Sequence, residues 1–331
     1  MYESFYGLTA KPFQLQPDPS FFFASKGHKR AMAYLEYGLS QGEGFIIITG
    51  EVGAGKTTLM RRLFNKLETE EIIFAQIVNT YLDADEVLRM VAAAFGLNIE
   101  NITKASLLIE LEKFLRQCDQ QGKRALLVVD EAQNLSADTL EQLRMLSNYQ
   151  TEDKPLLQTF LLGQPEFRRI LLGNNMQQLR QRVIATYHLG PMDSSETRAY
   201  IEHRLKMVGW RDDPVIQDDA FSLIYEKSRG IPRKINTLCD RMLIMGYLEE
   251  LHSFGTQEVN EVIQDINQEF DASGLEFDES NLSPDSPNNA PEVAQMGERL
   301  NKMEKSVTSV LDLLKQVLSL SSVKNKTQNE K

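Results

Sequence analysis

The sequence predicts an α/β fold: a three-layer αβα core on a parallel sheet, then a small all-helical lid domain and a C-terminal heptad helix. Three observations predict it. Short continuous apolar runs alternate with segments of helical spacing, the pattern of strands buried on both faces and joined by crossover helices. Gly50-Glu51-Val52-Gly53-Ala54-Gly55-Lys56-Thr57 matches the G-x-x-x-x-G-K-[ST] phosphate-loop pattern in full, between a strand and a helix. After Pro191 the apolar runs stop and only helical spacing remains.

The elements follow in chain order. Residues 1–43 form an aromatic-rich lead-in with Phe5, Tyr6, Phe13, Phe21, Phe22 and Phe23. Pro12, Pro17 and Pro19 interrupt it, so regular structure is expected only from about Ser25. The aromatics are expected to pack on the domain that follows, or to border a nucleotide base. Lys26 to Leu39 reads as a helix with Ala31, Leu35 and Leu39 on one face.

Residues 44–190 form the core. Its strands are Phe45–Thr49, Ile72–Val78, Ala125–Val129 and Leu156–Leu162; its helices are Leu59–Leu67, Ala84–Phe95, Ala105–Cys118 and Ser136–Tyr149. Residues 191–270 form the helical lid. Ser194 and Ser195 can cap its first helix, which runs to about Val208. Further helices fit Ile216–Lys227, Pro232–Leu248 and Thr256–Phe270, with Pro232 in a first turn where its missing N–H does no harm.

Residues 271–291 are rich in Asp, Ser, Asn, Glu and Pro and read as a flexible linker. Over 292–322, Val293, Met296, Leu300, Met303, Val307, Val310, Leu314 and Val317 keep an a/d heptad register, as in a coiled coil or a partner-binding helix. Residues 323–331 read as a disordered tail.

Composition bounds the function. The chain has 331 residues and a net charge of -11, which disfavours coating nucleic acid by bulk electrostatics. Two cysteines exclude a disulfide scaffold and fit a reducing compartment. No apolar run reaches the roughly 20 residues that span a bilayer. The first residues carry no basic-then-apolar leader, so a cytoplasmic protein is expected. His28, His188, His203 and His252 are dispersed without metal-ligand spacing and read as structural.

The phosphate loop points to ATP chemistry. Its glycines let backbone N–H groups face phosphate oxygens, and the helix that opens there adds aligned donors and a favourable dipole. Gly50, Glu51, Val52, Gly53, Ala54, Gly55, Lys56, Thr57 and Thr58 are the candidate nucleotide-binding residues, together with Asp130. Lys56 can reach the β- and γ-phosphates. Thr57 and Asp130 are the candidate Mg²⁺ ligands. Asp130 and Glu131 end the Leu126–Val129 run, where Glu131 can orient or polarise an attacking water.

The acid pair narrows the class. Metabolite kinases need no hydrolytic Glu at that position. GTPases read guanine with Asn-Lys-x-Asp, and Asn65-Lys66-Leu67-Glu68 ends in the wrong acid. Transporter-type ATPases carry an LSGGQ-like signature that does not occur here. A hydrolytic ATPase that works by conformational change remains.

Over about residues 1–268 the chain resembles the AAA+ ATPases, and among them the general secretion pathway A-type family. The resemblance rests on Met1-Tyr2, Phe5-Tyr6-Gly7-Leu8, Lys11-Pro12-Phe13, Pro17-Asp18-Pro19, Gly44-Phe45 and the phosphate loop. It continues through Val129-Asp130-Glu131-Ala132-Gln133-Asn134-Leu135, Gly163-Gln164-Pro165-Glu166, Leu179-Arg180-Gln181-Arg182 and Gly230-Ile231-Pro232-Arg233. Tyr34-Leu35-Glu36-Tyr37-Gly38-Leu39 and Tyr187-His188-Leu189-Gly190-Pro191 resemble the ATPases of exosortase (PEP-CTERM) and exopolysaccharide systems.

The resemblance implies further roles. Gln164 matches a sensor of the γ-phosphate. Arg233 matches an arginine of the lid that touches the nucleotide, and an arginine fork suits phosphate. Many relatives carry a second arginine four residues after Arg182, and here that residue is Thr186. Arg180 or Arg182 is then the candidate for an arginine acting across a subunit interface, and Arg182 is preferred.

It also implies a homo-oligomer that binds ATP and Mg²⁺. A protein partner of an envelope polysaccharide or export system would recruit it to the inner membrane, through the lid or the heptad helix, without insertion of its own. A DNA-associated regulator of the transposition type and a nucleotide-gated scaffold with little turnover are the alternatives.

Overall fold

The computed structural model describes residues 1–16, 18–66, 72–78, 80–152 and 154–272. Residues 273–331, with the linker from there on, the heptad helix and the tail, lie outside the described residues.

The sheet forms where the apolar runs were found, with one addition. Strands β1 (Phe45–Gly50), β2 (Ile72–Ile77), β3 (Arg124–Val129), β4 (Leu157–Gly163) and β5 (Val183–Leu189) make one sheet in the order β2-β3-β4-β1-β5. All its pairings are parallel. The central strands β1 and β4 are buried along their whole length, as a sheet covered on both faces requires. Strand β5 was not expected from the sequence. It lies at the sheet edge, and its polar Thr186 and His188 break the apolar run that marks the central strands.

Helices cover both faces. On one side α2 (Lys26–Gln41) and α3 (Lys56–Lys66) pack Ala31, Leu35, Leu39, Leu59, Met60 and Leu63 against Ile46, Ile48, Val128, Phe160 and Leu162. On the other, α4 (Ala84–Ala94), α5 (Lys104–Gln120), α6 (Ala137–Leu146) and α7 (Glu166–Leu172) cover Phe45, Ile47, Leu127, Val129 and Leu161. Alternate residues of each strand thus feed opposite cores. Capping fixes the helix starts: Ser25 accepts from the His28 N–H, and Asp83 forms a capping box with Glu86. The short helix α8 (Gln177–Arg180) leads into β5.

A third cluster lies beyond the sheet. Helices α9 (Ser194–Met207), α10 (Asp218–Ser228), α11 (Pro232–Leu248) and α12 (Thr256–Ala272) build it. The lid is not wholly helical, because Val215–Ile216 and Ser253–Phe254 (β6 and β7) pair in parallel. Two residues are too few to display an alternation. The cap of α9 is Asp193 rather than Ser194 or Ser195, in a capping box with Glu196. An ionised carboxylate accepts the helix N–H more strongly than a hydroxyl. Pro232 occupies the first turn of α11, as expected.

The lead-in divides where the sequence suggested one piece. Tyr2 and Phe5 belong to a short helix, α1 (Tyr2–Phe5), which the prolines had argued against. Tyr2, Tyr6, Leu8, Phe13 and Phe21 are buried with Tyr200, Ile201, Leu205 and Met242. Phe22 packs on the core domain next in sequence, as expected, with Arg62 of α3 over its ring, whereas most of the aromatics pack on the lid cluster. Arg204 of α9 holds them there. It is 7% exposed, donates to the Pro12 and Gln14 carbonyls, and lies 4.9 Å over the Phe21 ring.

Candidate functional site

The phosphate loop joins β1 to α3 at the C-terminal edge of the sheet, where parallel sheets bind ligands. Its backbone depends on glycine at two positions. Gly53 has φ +81° and Gly55 φ +97°, in the region that side chains avoid. A methyl group on Gly53 would stand 2.2 Å from Cβ of Arg233, and one on Gly55 would stand 2.8 Å from Nε2 of His28. The loop is thus clasped between the start of α11 and the buried ring of His28. The Arg233 N–H donates to the Gly53 carbonyl at 3.3 Å. The Ser25 hydroxyl and His28 Nδ1 share a hydrogen bond of 2.7 Å.

The loop's side chains sort by role. Ala54 and Lys56 are buried, Glu51 and Val52 are exposed, and Thr57 and Thr58 are half-buried. Lys56 Nζ donates to the Gly50 carbonyl at 2.6 Å and the Glu51 carbonyl at 3.1 Å. Burial lowers its pKa, against the pull of Glu131, Asp130, Glu51 and Glu166. The Thr57 hydroxyl donates to Asp130 Oδ2 at 2.9 Å, so the hydroxyl and carboxylate expected to hold Mg²⁺ are side by side. Asp130 is itself buried and accepts the Glu131 N–H at 3.0 Å. Two hard oxygen donors facing a phosphate cradle fit a magnesium ion.

Glu131 follows β3 in a left-handed conformation, φ +52°. A 3-10 turn over Ala132–Asn134 begins there. Two amides grip its carboxylate: Gln133 Nε2 donates to Oε2 at 2.6 Å and Gln164 Nε2 to the same oxygen at 3.1 Å. Burial raises its pKa, but the two amide hydrogen bonds and the Lys56 charge outweigh that and the net shift is downward. The carboxylate is held ionised and is able to accept a proton.

A cavity of about 240 Å³ opens beside the loop. Val52, Gly53, Gly55, Lys56, Thr57, Thr58 and Glu131 line it from the core, Asn236 and Arg233 from α11, and Gln14–Gln16 with Phe21–Phe23 from the lead-in. Phe21, Phe22 and Phe23, among the lead-in aromatics, form part of this wall.

The structure gathers most of the sequence-predicted residues and leaves two aside. Gln164 meets Glu131, and Arg233 meets the loop. Arg180 and Arg182 do not line the cavity. Arg180 donates to the Leu171 and Gly173 carbonyls, and Arg182 to the Ser147 carbonyl and hydroxyl beyond α6. Both cap helix ends within the chain, a common use of arginine there.

Sequence reasoning missed His28, Gln133, Thr80 and Arg204. Thr80 is 1% exposed and donates to the Glu131 carbonyl at 3.0 Å. Gln133 alone carried a local signal, two residues after Glu131. The others reach the site from distant segments.

Comparison with known proteins agrees with this geometry. The model of a family described as "AAA domain" matches residues 39–171. General secretion pathway protein A of Aeromonas hydrophila is 40% identical over 253 residues, 76% of this chain and 46% of that protein. The chain thus spans about half the length of this curated relative. Among solved structures, the Aeropyrum pernix ORC2 protein is 16% identical with a TM-score of 0.57, covering 88% of this chain and 89% of that one. Cdc6p from Pyrobaculum aerophilum is 17% identical with a TM-score of 0.60, covering 80% and 71%. At such identities the two structures establish the fold alone. Phosphate loop, acid pair, parallel sheet and these matches lead to one conclusion: the chain carries an AAA domain and is similar, over about three quarters of its length, to general secretion pathway protein A.

Proposed function

We propose that the chain binds ATP with Mg²⁺ in the cavity between sheet edge and α11, hydrolyses it, and passes the resulting lid movement to a protein partner. One observation carries the reading. Glu131, the Thr57–Asp130 pair and Lys56 converge on a loop whose Gly53 and Gly55 leave no room for a methyl group beside the Arg233 and His28 side chains, and a cavity opens alongside it. The chemistry follows from these residues. Loop N–H groups and Lys56 bind phosphate oxygens. Mg²⁺ on Thr57 and Asp130 would neutralise charge on the phosphates. Glu131, ionised and anchored, orients water and accepts its proton. Arg233 sits on the lid against Gly53, so changes at the loop reach α11 directly.

The partner belongs to an envelope export system, a reading supported by the name of the Aeromonas relative and by the resemblance to exosortase and exopolysaccharide ATPases. Among the described residues no helix is long and apolar enough to cross a membrane. Attachment at the inner membrane through that partner is part of the proposal. Self-association into an oligomer belongs to the same reading. So does an arginine acting in trans, with Arg182 released from Ser147.

The test is Glu131→Gln in the full chain. It keeps shape and hydrogen bonding but cannot take a proton. ATP binding should persist while turnover falls about 10²–10⁴-fold. Wild-type-like turnover in the variant would sink the assignment. Capture with the ATP-loaded variant should retain envelope-assembly proteins, and capture of DNA alone would instead favour a DNA-associated regulator.

A further inference from the structure

We infer that Gln133 is a positioning residue for hydrolysis: it fixes the Glu131 carboxylate so that one oxygen is left for water. This rests on the hydrolytic reading above.

The Glu131 backbone is already pinned. Its N–H donates to Asp130 Oδ1 at 3.0 Å, and its carbonyl accepts from the Thr80 hydroxyl and the Asn134 N–H, each at 3.0 Å. What remains free is the side-chain rotation, and a glutamate has three torsions to fix. Gln133 fixes them. Its Nε2 holds Glu131 Oε2 at 2.6 Å, the shorter of the two amide contacts. Its own Oε1 accepts the Gln164 backbone N–H at 2.9 Å. That anchor is main chain directly after β4, so it stays when the Gln164 side chain turns away.

Both amides bind the same oxygen. Among the described residues none donates to Oε1 of Glu131. Gln133 thereby assigns the two oxygens separate tasks, one tethered and one open to a proton. It also allows Gln164 to leave for a phosphate oxygen without freeing the carboxylate. Gln133 touches no substrate in this arrangement and works through Glu131.

The experiment compares the full-length wild type with Gln133→Met, of similar length without a donor, and Gln133→Glu, of the same shape with an acceptor instead. ATP turnover and the dissociation constant for ATP are measured for each. Misaiming a general base should lower kcat about 10–100-fold and leave ATP binding within about twofold. Because both amides serve one oxygen, Gln133→Met with Gln164→Ala should lose less than the product of the single losses. A kcat near or above wild type in either variant overturns the inference. So does a loss confined to ATP affinity. Wild-type chain without turnover would overturn the hydrolytic reading and this one with it. Wild-type turnover with indifferent Gln133 variants overturns this one alone.

Discussion

Gly53→Ala tests the clasp between phosphate loop and lid. The added methyl group would stand 2.2 Å from Arg233 Cβ, with Arg233 Cδ and Cγ at 3.1 and 3.2 Å. Loop and α11 must part by about 0.8 Å to restore even a 3.0 Å contact. A methyl group in a tight contact costs about 1–3 kcal/mol. The left-handed backbone, φ +81°, adds about 1–2 kcal/mol for alanine. Gly96→Ala separates the two costs, because Gly96 has the same φ and nothing within 4 Å of its methyl position. Gly96→Ala should therefore lose about 1–2 kcal/mol and Gly53→Ala about 2–5 kcal/mol. At about 2–4 °C per kcal/mol, the Gly53 variant should melt roughly 4–20 °C below wild type. Displacing Arg233 and the loop N–H groups by such distances should also weaken ATP about tenfold or more, equal to about 1.4 kcal/mol. Calorimetry and titration with a fluorescent ATP analogue read both effects. Equal melting temperatures and equal ATP affinities for the two alanine variants would refute a loop packed against α11.

Two further outcomes are expected. Arg204→Met should cost about 2–4 kcal/mol, because it strands the Pro12 and Gln14 carbonyls in a buried setting, and should expose the lead-in to limited proteolysis; an intact lead-in under protease would contradict the clamp. Burial lowers the His28 pKa, with the Ala54 carbonyl and Glu196 opposing. The unfolded chain therefore takes up that proton first as pH falls through about 6.5, and stability drops below that pH while above it His28 adds no pH dependence. Burial likewise lowers His188 and His203, so His28→Gln should flatten the fall in melting temperature between about pH 7 and pH 5 without abolishing it; an unchanged slope would refute the role.

Local sequence carried the signal for the proposed phosphate site. Gly50 to Thr57 and Asp130-Glu131 were legible because phosphate binding uses consecutive backbone groups, and their side chains follow at fixed offsets. The central strands were legible for a similar reason: burial on both faces forces unbroken apolar runs. Edge strand β5 was not, since one exposed face lets Thr186 and His188 interrupt the run. Tertiary structure decided what touches what across long separations. It moved the lead-in aromatics other than Phe22 to the lid and brought His28 behind Gly55. It set Arg204 over Phe21, and folded Gln133 and Gln164 onto one oxygen of Glu131. It also gave Arg180 and Arg182 carbonyl partners within the chain. Such contacts depend on how helices and strands pack, and packing is set by the whole core rather than by neighbours in sequence. The amino-acid sequence alone thus pointed to the ligand the loop is proposed to hold, and the fold determined which side chains surround that loop.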